Sequence, residues 1–291
     1  MNIKRVYPSG YCKGVVNAIQ LAKKTRQDNP DEKIYVLGMI VHNSFVTKEL
    51  EELNIITLDD TNVSKEDLLK QIDEGIVIFT AHGISDQIKQ QAKAKGLRYV
   101  DASCEDVLKT RNIIIEYLNN GYDIVYFGKK KHPEAEAIIS ISDRIHLVSS
   151  EEDIRNLSIE NKNILLTNQT TMSYLELEKM FELIKDRFPT ITIKEEICKA
   201  TTSRQKAISE LKDCDLLYVV GDVKSNNSNK LVEIGLKHGI KKALLIQSYL
   251  DINKEDLRDV ENIYITAGAS TPLKQINEVI DTLNRLSAES L

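Results

Sequence analysis

The chain lacks several features that mark common protein classes. Among 291 residues there is no tryptophan, there are five prolines, and no low-complexity stretch stands out as a linker. No C-x-x-C pair occurs, and structural zinc ribbons rely on such close pairs. Neither G-x-G-x-x-G nor G-x-x-x-x-G-K-[ST] is present, which removes the dinucleotide fingerprint and the phosphate loop of nucleotide hydrolases. Positive charge is not in excess: 39 Lys and Arg against 44 Asp and Glu give a net charge of -5, which argues against a nucleic-acid partner. The longest apolar run, 34–41, falls far short of the roughly 20 residues that span a bilayer. Residues 1–8 lack the apolar core of a secretory signal. These absences predict a cytoplasmic protein with no membrane partner. In that compartment its four cysteines point to metal binding, catalysis or burial rather than disulfides.

The chain is ordinary in amount, with 42% hydrophobic and 29% charged residues, enough for two domains or three small ones. β-Branched runs predict strands at 33–41, 75–80, 97–101, 123–127, 163–167, 190–193, 215–220 and 262–266. Helical periodicity fills 15–26, 86–95, 107–119, 174–188, 203–212, 230–238 and 273–286. Such alternation implies mostly parallel sheets covered by helices, with functional loops beyond the carboxyl ends of the strands.

Three of the cysteines, Cys12, Cys104 and Cys198, lie 92 and 94 residues apart. Polar loops recur in the same order after each. His42-Asn43 and Ala81-His82-Gly83 follow Cys12, and His132-Pro133-Glu134 and Gln169-Thr170-Thr171 follow Cys104. Ser225-Asn226-Asn227-Ser228 and Ala269-Ser270-Thr271 follow Cys198. A period near 95 predicts three small α/β domains in a pseudo-threefold arrangement. Their expected bounds are 14–102, 103–195 and 196–291 plus 1–13, the opening strand joining the last domain. Taken singly, each cysteine reads as a small buried hydrophobe. Taken together, three thiolates from distant loops suit a metal or iron–sulfur site with one corner left open.

The histidines His42, His82 and His132, with Ser225, Asn227 and Ser270, supply donors that hold an anion such as phosphate or diphosphate at helix N-termini. Thr170 and Thr171 add hydroxyls, and Glu134 reads as a proton carrier once burial tunes it. With no nucleotide motif, electrons would come from another protein. Cys214 falls outside the repeat and reads as structural, and His146 and His238 receive no role. The Ser225–Ser228 stretch also reads as a turn and N-cap for the helix at 230–238.

In these residues the chain resembles the 4-hydroxy-3-methylbut-2-enyl diphosphate reductase family of the non-mevalonate isoprenoid pathway. The ordered matches are Gly10-Tyr11-Cys12-Lys13-Gly14-Val15, Val41-His42-Asn43, Ala81-His82-Gly83, Asp101-Ala102-Ser103-Cys104, His132-Pro133-Glu134, Gln169-Thr170-Thr171, Ile197-Cys198-Lys199-Ala200-Thr201, Arg204-Gln205 and Thr266-Ala267-Gly268-Ala269-Ser270. The resemblance implies three α/β domains around a central [4Fe–4S] cluster on Cys12, Cys104 and Cys198, its fourth iron open to the substrate. It implies diphosphate binding by His42, His82, His132, Ser225, Asn227 and Ser270, with Asn226 in the same loop. Glu134 would deliver protons, aided by Thr170 and His132. Two electrons from ferredoxin or flavodoxin and two protons would then give isopentenyl and dimethylallyl diphosphates and water. The chain departs from the family pattern at Glu105 (usually Pro), Ala137 (usually Gly), Asn226 (usually Ser) and Lys224 (commonly Asn). Two other readings remain open: a divergent paralogue acting on another allylic or phosphorylated substrate, and a non-catalytic iron–sulfur sensor. The retained Glu134 and Thr170 favour an enzyme.

Overall fold

The computed structural model describes residues 1–289, and its strands among those residues form three four-stranded parallel sheets. The chain opens with β1 (Asn2–Arg5). The first sheet takes β2 (Ile34–Leu37), β3 (Ile55–Leu58), β4 (Ile76–Phe79) and β5 (Arg98–Asp101). Its helices are α1 (Lys13–Asp28), α2 (Ser44–Glu52), α3 (Lys65–Lys70) and α4 (Asp86–Ala94). The second sheet takes β6 (Asp123–Phe127), β7 (Ile145–Val148), β8 (Ile164–Asn168) and β9 (Thr192–Ile193). With it run α5 (Glu105–Asn119), α6 (Pro133–Ile139), α7 (Glu151–Asn156) and α8 (Tyr174–Arg187). The third takes β10 (Leu216–Val220), β11 (Lys242–Ile246) and β12 (Asn262–Ala267), with α9 (Lys199–Ser209), α10 (Asn226–Lys237) and α11 (Leu273–Glu289). It is completed by β1, which pairs in parallel with β12 from Asn2↔Asn262 to Arg5↔Ile265, as expected for the opening strand.

The residues group into two compact units. One comprises Gly14–Val41 and Thr47–Cys198 and carries the first two sheets. The other comprises Met1–Lys13, His42–Val46 and the chain from Lys199 onward, and carries the third.

Central strands read as unbroken apolar runs because both of their faces are covered, and every residue of β4, β8 and β10 is buried. Alternate side chains serve opposite cores. In the second sheet Ile124, Tyr126 and Leu165 face one cluster, while Val125, Phe127 and Leu166 face the other. In the third, Leu216, Tyr218 and Val220 pack with Ile276, Val279 and Leu283 of α11.

The three sheets share one topology. The orders β3-β2-β4-β5, β7-β6-β8-β9 and β11-β10-β12-β1 all place the strands as second, first, third and fourth. In such a sheet the chain reverses its direction of travel between the first and third strands. A crevice therefore opens beyond their carboxyl ends. The six polar loops of the sequence repeat are the loops that follow these two strands in each sheet.

Three differences from expectation have local causes. The strand predicted over 33–41 stops at Leu37, because Gly38 takes a φ of +95° and donates its N–H to the Leu58 carbonyl. Met39, Ile40 and Val41 nevertheless stay buried as a loop. The strands β3, β7 and β11 were not predicted; each is an edge strand and only partly buried. The helix predicted over 230–238 begins earlier, at Asn226, so Ser225 is its N-cap and Asn226–Ser228 form its first turn.

Gly75, just before β4, has a φ of +105°, and a Cβ there would stand 2.3 Å from the Lys33 carbonyl oxygen. Gly75→Ala is expected to destabilise the protein by about 2 kcal/mol, read as a lower urea midpoint at unchanged slope.

Candidate active site

Each repeat cysteine follows the fourth strand of its sheet and immediately precedes a helix: Cys12 before α1, Cys104 before α5, Cys198 before α9. The backbone N–H of Cys12 donates to the Ala269 carbonyl at 3.0 Å, that of Cys104 to Ala81 at 2.9 Å, and that of Cys198 to Thr170 at 3.1 Å. In every sheet the acceptor lies two residues past the end of the third strand. The even spacing in the sequence is therefore a repeated hydrogen bond. All three cysteines are half-buried, outside any disulfide, and each stands at the entrance to a helix. This donor set fits a metal cluster. Among the described residues no three His, Cys, Asp or Glu side chains are gathered tightly enough for a single metal ion. Cys214, just before β10, is different: burial, aided by the Asp215 charge, pushes its thiol up to about 11, which keeps it protonated as a structural residue.

In the unit that carries the first two sheets, Glu134 occupies the first turn of α6 and is 1% exposed. Its Oε1 accepts the Thr170 N–H at 2.8 Å and the Tyr126 hydroxyl at 3.4 Å, and its Oε2 accepts the Thr170 hydroxyl at 2.9 Å. Burial outweighs these stabilising bonds and raises the carboxyl pKa to about 7. Glu134 therefore exchanges a proton near neutrality. Tyr126, whose own hydroxyl is held well above its ordinary range by burial, stays protonated and donates to Glu134.

His132 is the N-cap of α6, and its Nδ1 accepts the Glu134 N–H at 3.2 Å. An accepting Nδ1 leaves the imidazole proton on Nε2. The His132 ring meets that of His82, from the loop after β4, edge to face at 5.6 Å between centroids. Gln169 orders the neighbouring loop, accepting the Lys129 N–H and donating to the Thr171 hydroxyl. Tyr126 was missed in the sequence because it reads as an ordinary strand aromatic; nothing local marks its hydroxyl as partnered.

In the other unit, Ser225 caps α10, and Ser225, Asn226 and Asn227 are all buried. The Asn227 Oδ1 lies 3.5 Å from the Thr201 hydroxyl, while its buried Nδ2 has no hydrogen-bond partner. A buried, unmet amide donor at a helix N-terminus is a mark of an anion site. The His42–Val46 segment is pinned at three points. The Ser270 hydroxyl donates to the His42 carbonyl at 2.9 Å, the Asn43 amide donates to Gln275, and the Ser44 N–H donates to Asp222. Ser270 thus holds the histidine loop and spends its proton there. Asp222 and Gln275, both buried, were not singled out in the sequence.

The departures sit mildly. The methyl of Ala137 faces Gly83, 3.7 Å from where a Cβ on that glycine would be, and fits without a clash. Glu105 is exposed, which screens its charge. Lys224 donates its N–H to Asp222 through the backbone, a bond that any residue but proline supplies.

Glu134 also sets a pH dependence of stability. Its carboxyl is raised in the folded state, so the unfolded chain releases this proton first and folding loses free energy as pH rises from about 4.5 to about 7. Denaturant titrations across that range are expected to show wild type losing stability relative to Glu134→Gln, with the gap constant above it.

A family model described as LytB protein matches residues 3–284. The 4-hydroxy-3-methylbut-2-enyl diphosphate reductase of Bacillus subtilis (strain 168) is 45% identical over 292 residues, covering 99% of this chain and 92% of the relative. That of Bacillus pumilus (strain SAFR-032) is 47% identical over 283 residues, covering 96% and 90%. Among solved structures, the E-1-hydroxy-2-methyl-but-2-enyl-4-diphosphate reductase from Plasmodium falciparum superposes with a TM-score of 0.90 at 32% identity, covering 97% of this chain and 88% of that one. A second solved (E)-4-hydroxy-3-methyl-but-2-enyl diphosphate reductase gives a TM-score of 0.68 at 25% identity, covering 98% and 100%. With matching sequence over nearly its whole length and the same sheets beneath the motifs, the chain belongs to the LytB protein family.

Proposed function

We propose that this chain reduces 4-hydroxy-3-methylbut-2-enyl diphosphate to isopentenyl and dimethylallyl diphosphates. The carbon–hydroxyl bond breaks, one proton leaves with the oxygen as water, and two electrons with a second proton form the new carbon–hydrogen bond. The observation that carries the reading is Thr170. Its N–H and hydroxyl hold a carboxyl that titrates near pH 7, and its carbonyl holds Cys198. One residue thus ties the proton carrier to a cysteine, an arrangement that a sensor has no use for.

Cys12, Cys104 and Cys198 would hold a [4Fe–4S] cluster, whose cysteines attach to different irons and need not be gathered as around one ion. When bound, the cluster supplies the electrons and, at the iron without a cysteine, a Lewis acid. Ferredoxin or flavodoxin would reduce it in the cytoplasm. Among the described residues no helix is long and apolar enough to cross a membrane. The reading divides the chain into three α/β domains, at 14–102, 103–195 and 196–291 plus 1–13. The last two residues of the third lie outside the described ones.

The protein's own residues then have separable tasks. Ser225, Asn226 and Asn227 bind the diphosphate at the N-terminus of α10, with His42 and His82 as further donors and Ser270 holding the His42 loop. His132 offers its Nε2–H. Glu134 stores the proton, and Thr170 moves it. The Thr170 hydroxyl donates to Oε2 when Glu134 is ionised and accepts from it when Glu134 is protonated, so their bond survives the transfer by reversing.

The test is anaerobic reconstitution with iron and sulfide, followed by reductant-dependent consumption of the substrate. Cys104→Ser is expected to lose bound iron and sulfide. Glu134→Gln is expected to keep both but lower kcat by about a hundredfold or more. Wild-type kcat is expected to fall as pH rises through about 7, where Glu134 loses its proton. A fully loaded protein that neither turns over nor binds the substrate would sink the proposal.

A further inference from the structure

The first turn of α10 contains a residue of the polar loop to which the sequence assigns no role at the site. Ser228 is 0% exposed, and its hydroxyl lies between two glycines. A Cβ at Gly221, after β10, would stand 2.3 Å from Ser228 Oγ, and one at Gly268, after β12, would stand 2.1 Å from it. Glycine is therefore required at the carboxyl ends of both the first and the third strand of this sheet. Both make room for one buried hydroxyl.

That hydroxyl has one hydrogen-bond partner among the described residues. Ser228 Oγ lies 3.0 Å from Ser225 Oγ, and the Ser228 N–H reaches the same oxygen at 3.2 Å. A serine hydroxyl has one proton to give and two lone pairs to fill. Ser228 is buried with this single acceptor in reach, so its proton goes to Ser225, because an unmet buried donor costs free energy. The helix N–H takes the other lone pair. Both acceptor sites of Ser225 are then occupied, and its own proton must point elsewhere. The neighbouring buried and unmet donor, Asn227 Nδ2, marks where an acceptor is wanted.

We propose that Ser228 is a positioning residue that fills the lone pairs of Ser225 and so fixes the Ser225 hydroxyl as a donor to the substrate's diphosphate. This rests on the reading that the α10 loop binds diphosphate. Without Ser228, Ser225 still caps the helix, but its hydroxyl is free to turn and present a lone pair to an anion. The loss is one of polarity, and it falls on binding rather than on the chemical step.

The experiment uses reconstituted holoenzyme, with calorimetric titration of inorganic diphosphate and steady-state kinetics on 4-hydroxy-3-methylbut-2-enyl diphosphate. Ser228→Ala is expected to raise Kd for diphosphate and KM for substrate about tenfold, the worth of one hydrogen bond, with kcat within twofold. Since Ser228 acts through Ser225, the Ser225→Ala/Ser228→Ala double variant is expected to bind no more weakly than Ser225→Ala alone. Wild-type binding by Ser228→Ala, losses that multiply in the double variant, or an equal fall in kcat would overturn the proposal. If Ser228→Ala does not fold, Ser228→Gly removes the same hydroxyl; failure of both makes the residue purely structural and the proposal wrong. A wild-type holoenzyme that turns the substrate over but takes up no diphosphate at this loop, its affinity unmoved by Ser225→Ala, would show that the pocket reading itself had failed, a different result from any of these.

Discussion

The hydrogen bond from each cysteine N–H to the loop past the third strand is the constraint on which the functional features of this protein depend. It ties the residue that enters each cysteine helix to the loop just past the neighbouring third strand, so each cysteine is anchored two residues from a sheet strand. Because the acceptor is a main-chain carbonyl, the bond places no demand on the side chain. Two of the three acceptors are alanines, Ala81 and Ala269. The third is Thr170. There the freedom is used: its hydroxyl and N–H take hold of Glu134, a contact the two alanines cannot make.

The acidity of Glu134 shows how finely that position is balanced. Three donors favour its anion, and in a wetter place they would hold the carboxyl below its ordinary range. Near-complete burial reverses the sign. The donors therefore act less as charge stabilisers than as guides to which oxygen carries the proton. Oε1 is already committed to a backbone N–H, which cannot reverse, and takes a longer bond from a phenol. Oε2 faces a hydroxyl, which reverses freely. The proton accordingly belongs to Oε2, on the side of Thr170.

Much of this was legible in the sequence, and the illegible remainder has physical reasons. The central strands were readable because burial on both faces demands unbroken apolar runs, as in Leu216–Val220. The edge strands β3, β7 and β11 bury fewer side chains and so leave a weaker pattern. At Gly38 the left-handed backbone ended a strand that hydrophobicity alone would have continued to Val41. Among site residues, cysteine, histidine and Glu134 announced themselves by type. Tyr126, Asp222, Gln275 and Ser228 did not, since their roles lie in partners brought near by the fold.

The same distinction accounts for where the chain departs from the pattern it resembles. Glu105 is exposed, Ala137 adds a methyl in a space beside Gly83 that accepts it, and Lys224 contributes a backbone N–H. Glu105 and Lys224 lie at the exposed surface, and Ala137 fits without a clash. Glu134 and Thr170, by contrast, have their acceptors and donors assigned to particular atoms. A position whose hydrogen bonds are all committed has no neutral substitute, because any change strands a buried partner. Asn226 is the informative exception: it is buried in the first turn of α10 yet differs from the usual serine. An amide there keeps both a donor and an acceptor. The helix start retains its polarity, and the exchange alters the size of the side chain rather than its charge.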